Sequence, residues 1–126
     1  MSWTLALTVA LGGAIGAPLR YLIDSRVTRA TADGKHALFP WGLLVVNAVG
    51  SLVIGLAFAM VDGHWRMLIA TGACGALTTY SGYALFVDRT WSVNRAAALR
   101  ALIAMPVVCI SACAVGVVVT RAFLGA

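Results

Sequence analysis

Glutamate is absent from this chain, and its four acidic residues, Asp24, Asp33, Asp62 and Asp88, all stand in loops or at the ends of apolar runs. No carboxylate is therefore placed to carry a proton through the middle of a hydrophobic segment. Histidine is limited to His36 and His64, and the three cysteines, Cys74, Cys109 and Cys113, show neither CxxC spacing nor a nearby histidine. That pattern argues against a metal site held by side chains and reads the cysteines as small packing residues. With no constellation of His, Cys or carboxylate, an enzyme is not expected. No Lys or Arg precedes the first apolar run. The positive region of a signal peptide is missing, so residues 3–23 read as an uncleaved helix.

What the chain does have is apolar length. Hydrophobic residues make up 62% of the 126, charged ones 10%, and the mean hydropathy is +0.97. This is the composition of an integral membrane protein with little mass outside the bilayer. Uncharged runs cover residues 1–19, 37–61, 67–87 and 101–120. Each can cross a hydrocarbon core of about 30 Å at about 1.5 Å per residue. The expectation is an all-α membrane protein forming one domain over residues 1–126. Its four transmembrane helices lie at about 3–23, 38–61, 67–88 and 97–123, with a loop at 24–36 and a tight turn at 62–66.

The net charge of +5 does not point to nucleic acid, because the basic residues sit at helix ends and in short loops rather than in a basic arm. They report orientation instead. Arg20, Arg26, Arg29, Lys35, Arg89, Arg95 and Arg100 border the first and third loops, against Arg66 and Arg121 on the other side. Seven against two predicts that loops one and three face the cytoplasm and that both termini lie outside, in the inner (plasma) membrane.

Polar and small residues then mark the places where the helices do more than span. Gly12 and Gly16 stack on one face of the first helix, where a second backbone can approach closely, and Arg20 continues that stripe. Arg20 is either a snorkelling helix-end charge or a positive charge in a vestibule that attracts anions. The Gly-Gly-x-x-Gly spacing is no dinucleotide loop, since no strand precedes it. Asn47 would leave unpaired donors in hydrocarbon, so it faces protein or water, as interhelical glue or as a donor lining an ion path. Ser51 lies one turn further on.

The most unusual stretch is Gly72-Ala73-Cys74-Gly75-Ala76-Leu77-Thr78-Thr79-Tyr80-Ser81-Gly82-Tyr83. It puts three glycines, three hydroxyl side chains besides tyrosine, and two tyrosines in the middle of a span. Gly72 and Gly75 should weaken the helix there, where Thr78 and Thr79 can rebond freed backbone groups, and a broken transmembrane helix can present carbonyls to a cation. In the fourth span Pro106 removes one backbone bond and should bend the helix.

Three of these stretches together resemble the Fluc (CrcB) family of fluoride channels. They are Gly12-Gly13-Ala14-Ile15-Gly16-Ala17-Pro18-Leu19-Arg20-Tyr21, Val46-Asn47-Ala48-Val49-Gly50-Ser51 with Gly55, and Gly75-Ala76-Leu77-Thr78-Thr79-Tyr80-Ser81. They occur in the family's order and spacing, in a chain of its length. The resemblance implies small four-helix subunits paired antiparallel, with the third helix broken at mid-membrane and two narrow pores at the dimer interface. It implies passive fluoride export as a defence against toxicity. It also implies that the backbone carbonyls of Gly75 and Thr78, from both subunits, hold a structural Na⁺. Asn47 matches the family's pore asparagine, and Tyr80 and Tyr83 occupy its two pore phenylalanine positions. With Ser51 and Ser81 these complete the expected pore lining, and Arg20 the vestibule.

The departures are specific. Where the family pattern reads TTFSTFSxE, this chain has Thr78-Thr79-Tyr80-Ser81-Gly82-Tyr83-Ala84-Leu85-Phe86. Both phenylalanines are tyrosine, and a threonine, a serine and the final glutamate are gone. Some members of the family pair as two oppositely oriented paralogues, in which pore residues can be lost from one half. The alternative to a self-paired channel is therefore a non-conducting or partly conducting partner subunit of a heterodimer. A small multidrug-resistance-type exporter shares the size and helix count, but it needs the membrane carboxylate that this chain lacks.

Overall fold

In a computed structural model, residues 2–32 and 38–125 are described, and among them every regular element is helical. Three helices are long and apolar enough to cross a membrane: α1 (Trp3–Ala30), α2 (Trp41–Met60) and α6 (Arg95–Leu124). Between α2 and α6 the chain runs through α3 (Gly63–Arg66), a π-wound stretch (Met67–Cys74), α4 (Gly75–Leu77) and α5 (Tyr80–Trp91).

Helix α1 does not stop near residue 23 but continues to Ala30, through half of what reads as a loop. No glycine or proline interrupts residues 24–30, and the polar side chains there bond along the helix. Ser25 Oγ donates to the Leu22 carbonyl and Thr28 Oγ1 to Asp24 Oδ1, at 3.2 and 3.1 Å. The remaining loop positions Asp33, Lys35 and His36 lie outside the described residues. The other boundaries differ by a few residues, for capping reasons. Helix α6 begins at Arg95 because the Asn94 side chain accepts from the Ala97 amide at 3.0 Å, and it ends where Gly125 turns left-handed at φ 69°.

Glycines set the helix crossings. A Cβ on Gly12 would collide with the Leu68 carbonyl and lie 2.9 Å from Gly72 Cα, and one on Gly16 would strike the Ala73 carbonyl. The stripe on α1 therefore seats directly against the π-wound backbone. On the far side, Gly55 of α2 meets the Cys113 backbone of α6, and Gly116 of α6 meets the Leu52 carbonyl.

The interior is built of small residues and the exterior of large ones. Ala98 and Ala101 are fully buried and Val46 is the largest side chain to be so, whereas Leu7, Leu11, Ile15, Ile103, Ile110 and Val118 are exposed. Large apolar side chains facing outward suit hydrocarbon or another apolar chain, not water.

Candidate functional site

The helical winding after Leu77 is interrupted at two threonines. Thr78 (φ −75°, ψ 156°) and Thr79 (φ −148°, ψ 117°) are both extended. Gly72 and Gly75, where the sequence suggests weakness, stay helical, with Gly75 at φ −61° and ψ −34°. The threonines break the winding instead because their β-branched side chains favour extended backbone and offer rival hydrogen-bond partners. Thr78 Oγ1 donates to the Cys74 carbonyl at 2.9 Å, and Thr79 Oγ1 caps α5 by accepting from the Gly82 amide at 3.1 Å.

Asn47 holds the interruption in place from α2. Its Oδ1 accepts from the Thr79 amide at 2.6 Å, and its Nδ2 donates to the Thr79 carbonyl at 3.2 Å. The side chain thus replaces the helix-ladder acceptor that the Thr79 amide loses, and adds a second donor to a carbonyl that already opens the ladder of α5. The second Nδ2 hydrogen points to Met105 Sδ at 3.6 Å, a weak acceptor.

These substitutions free two carbonyls. In a continuous helix the Thr79 amide would donate to the Gly75 carbonyl, and the Gly82 amide to the Thr78 carbonyl. Here those amides go to Asn47 and to Thr79 Oγ1 respectively. Gly75 is exposed, and apart from its own helical turn no described atom lies within 4 Å of where a Cβ would stand. The arrangement leaves two main-chain oxygens without their helix donors, one of them at the exposed Gly75. No cluster of three His, Cys, Asp or Glu side chains is found among the described residues.

Beside the break lies a groove of about 290 Å³ that brings together Asn47, Ser51, Thr79, Tyr80, Tyr83 and Met105. The two tyrosine rings stand edge to face, 5.7 Å between centroids and 63° between planes. Their exposures differ sharply: Tyr80 is 80% exposed and Tyr83 only 8%. The buried Tyr83 hydroxyl donates to the Leu102 carbonyl of α6 at 3.1 Å.

Ser81 and Arg20 are not in this groove. They line a neighbouring depression with Asp24, Leu43 and Gly82, and Thr79 borders both. Thr79 Oγ1 and Ser81 Oγ lie 3.2 Å apart, linking the two hollows by hydroxyls.

Reading the sequence alone misses two contributors. It does place Thr78 and Thr79 where freed backbone groups need new partners, and their hydroxyls bond the Cys74 carbonyl and the Gly82 amide. Met105 is an ordinary apolar residue until α6 brings it to Asn47. Asp24, one turn beyond Arg20, places a negative charge in the depression where only the positive one is anticipated.

Residues 7–117 match the model of the CrcB-like protein family, Camphor Resistance (CrcB). Two relatives align over most of both chains, and each bears the name fluoride-specific ion channel FluC. The one from Erythrobacter litoralis is 39% identical over 129 residues, covering 93% of this chain and 92% of that one. The one from Hahella chejuensis is 40% identical over 126 residues, covering 92% and 94%. A FluC from Koribacter versatilis is 46% identical over 84 residues, covering 62% of this chain and 64% of its own. The relatives are named as ion channels, not enzymes, in line with the missing catalytic constellation. A family match across nearly the whole sequence, on a chain with three apolar helices of spanning length, makes this a multi-pass membrane protein of the CrcB family.

Proposed function

We propose that this chain is a subunit of a fluoride-selective channel, through which fluoride leaves the cell down its gradient and its toxicity is relieved. The observation that carries the reading is the Asn47 clamp on Thr79, because it brings together an interrupted helix, a Gly75 carbonyl without its helix donor and a donor-lined groove in one place. The names of the relatives support the choice of fluoride.

In this reading residues 63–91 form the third of four crossings, broken at Thr78 and Thr79. Loops one and three face the cytoplasm and both termini face outward, in the inner membrane. Two subunits pair antiparallel in the bilayer, this chain with itself or with an oppositely oriented paralogue. The freed carbonyls of Gly75 and Thr78, with their counterparts in the second subunit, would hold a Na⁺, in the way broken helices serve cation sites elsewhere. When bound, the ion supplies a fixed positive charge close to the anion path.

The side chains then divide the work. Arg20 draws anions toward the depression it shares with Ser81. A small, strongly hydrated anion moves inward only where donors replace its water. With the amide plane fixed by Thr79, the Asn47 hydrogen aimed at the Met105 thioether is available to such an anion if the flexible Met105 side chain moves aside, since only a weak acceptor is given up. The Ser51 hydroxyl and the positive ring edges of Tyr80 and Tyr83 complete the lining.

A second reading makes the chain a non-conducting or partly conducting half of a heterodimer. The seven-to-two charge bias and the altered aromatic positions favour it. Fluoride efflux from liposomes, with Na⁺ and with Na⁺ replaced by a bulky cation, separates the cases. Efflux by the chain alone supports the self-paired channel, and efflux only with a paralogue supports the heterodimer. No efflux in either case overturns the proposal.

A further inference from the structure

Pro106 lies inside α6 and has no N–H, so the carbonyl one turn earlier, that of Leu102, loses its helix partner. In an apolar setting such a carbonyl needs a replacement donor. The donor in this structure is the Tyr83 hydroxyl, 3.1 Å from the Leu102 oxygen. The hydroxyl that departs from the family pattern and the carbonyl that the proline strips are therefore each other's partners.

Position gives the pair a consequence. Tyr83 and Leu102 both line a large open groove of about 960 Å³, together with Tyr80 and Arg89, and Tyr83 also lines the smaller groove with Asn47. Tyr83 is buried, and its ring meets Tyr80 edge to face, so fixing its hydroxyl fixes the aromatic pair. An uncovered carbonyl at this wall would present a negative dipole to any anion passing the rings.

We propose that Tyr83 is a positioning residue for the anion path: by donating to the Leu102 carbonyl left bare by Pro106, its hydroxyl orients the aromatic pair and covers a negative dipole in the wall. The hydroxyl is thereby committed to the protein and is not itself a ligand to the ion. Phenylalanine, the residue of the family pattern, is then the wrong residue at this position as long as Pro106 is present. The effect on flux rests on the channel reading, whereas the pairing does not.

The test is a double-mutant cycle of Tyr83→Phe and Pro106→Ala on the full chain, read by thermal melting in detergent and by fluoride efflux from liposomes. The Pro106→Ala change restores the amide that Leu102 lacks, so it removes the need for the hydroxyl. Tyr83→Phe is expected to slow efflux about fivefold with Pro106 present, the factor for one net hydrogen bond, and less than about twofold in the Pro106→Ala background. Its loss in melting temperature should shrink in the same direction. Tyr21→Phe, which removes an exposed hydroxyl from α1, serves as the control and should change neither readout. Equal effects of Tyr83→Phe in both backgrounds would overturn the proposal, as would faster efflux in Tyr83→Phe alone. If the parent chain conducts no fluoride with or without a paralogue, the channel reading falls. The melting cycle alone then decides the pairing, with additive losses refuting it.

Discussion

Asn47 grips Thr79 at both ends of one residue, accepting from its amide at 2.6 Å and donating to its carbonyl at 3.2 Å. A side-chain amide offers an acceptor and a donor side by side, so it can supply the acceptor that the Thr79 amide loses at the break and hold the Thr79 carbonyl as well. The asparagine is thus glue and site at once, and substitutions separate the two roles.

Asn47→Leu removes both bonds and leaves the part-buried Thr79 amide unpaired, at a cost of about 1–3 kcal/mol. It is expected to lower the melting temperature strongly and to abolish fluoride efflux. Asn47→Asp keeps an acceptor for the Thr79 amide but has no donor when ionised. It should lose efflux by at least about tenfold while retaining more stability than the leucine variant. Comparison of melting curves with liposome flux checks both.

Thr79→Val preserves the branched shape but removes the oxygen that accepts from the Gly82 amide. The expected cost is about 1 kcal/mol, as for other lost helix caps, with Thr79→Ser close to the parent. Thermal unfolding in detergent distinguishes the two variants.

Gly12→Val and Gly13→Ala test the crossing between α1 and the π-wound stretch. A Cβ at Gly12 meets backbone of the facing segment, whereas one at Gly13 comes no closer than 4.0 Å to Ala76 Cβ. The valine is expected to destabilise by about 3 kcal/mol or to block folding, and the alanine to be nearly neutral. Yield and melting temperature report the difference.

Gly75→Leu examines pairing. Apart from its own helical turn, no described atom lies within 4 Å of a Cβ there, so the single chain should fold as before. If Gly75 lies at the centre of an antiparallel dimer, the leucine should weaken self-association at least about tenfold, because a large side chain at a close backbone contact cannot be repacked locally. Glutaraldehyde cross-linking in detergent, at graded protein concentration, measures it.

Much of this protein can be read from composition and spacing, because those features state physical needs that hold in any fold. Long uncharged runs need hydrocarbon, and Gly12 and Gly16 need a neighbouring backbone. Asn47 in an apolar run needs a polar partner. The positions that escape such reading are those whose partner comes from another helix. The choice of break is one: Gly72 and Gly75 have the weaker propensity, yet the winding yields at Thr78 and Thr79, because Asn47 of α2 is there to receive the Thr79 backbone. The extension of α1 to Ala30 is another, since charged residues 24–30 read as a loop although nothing in them stops a helix.

By itself, then, the sequence determined a multi-pass helical protein of the CrcB family and the residues around which a site could form, because apolar length, glycine spacing and motif order survive without coordinates. Only the tertiary structure decided how those residues are used. It set Asn47 against Thr79, divided Arg20 and Ser81 from the tyrosines, and matched the Tyr83 hydroxyl to the carbonyl that Pro106 leaves bare. The reason is that a hydrogen bond between helices depends on which groups face each other within about 3 Å, and spacing along one chain does not encode that distance.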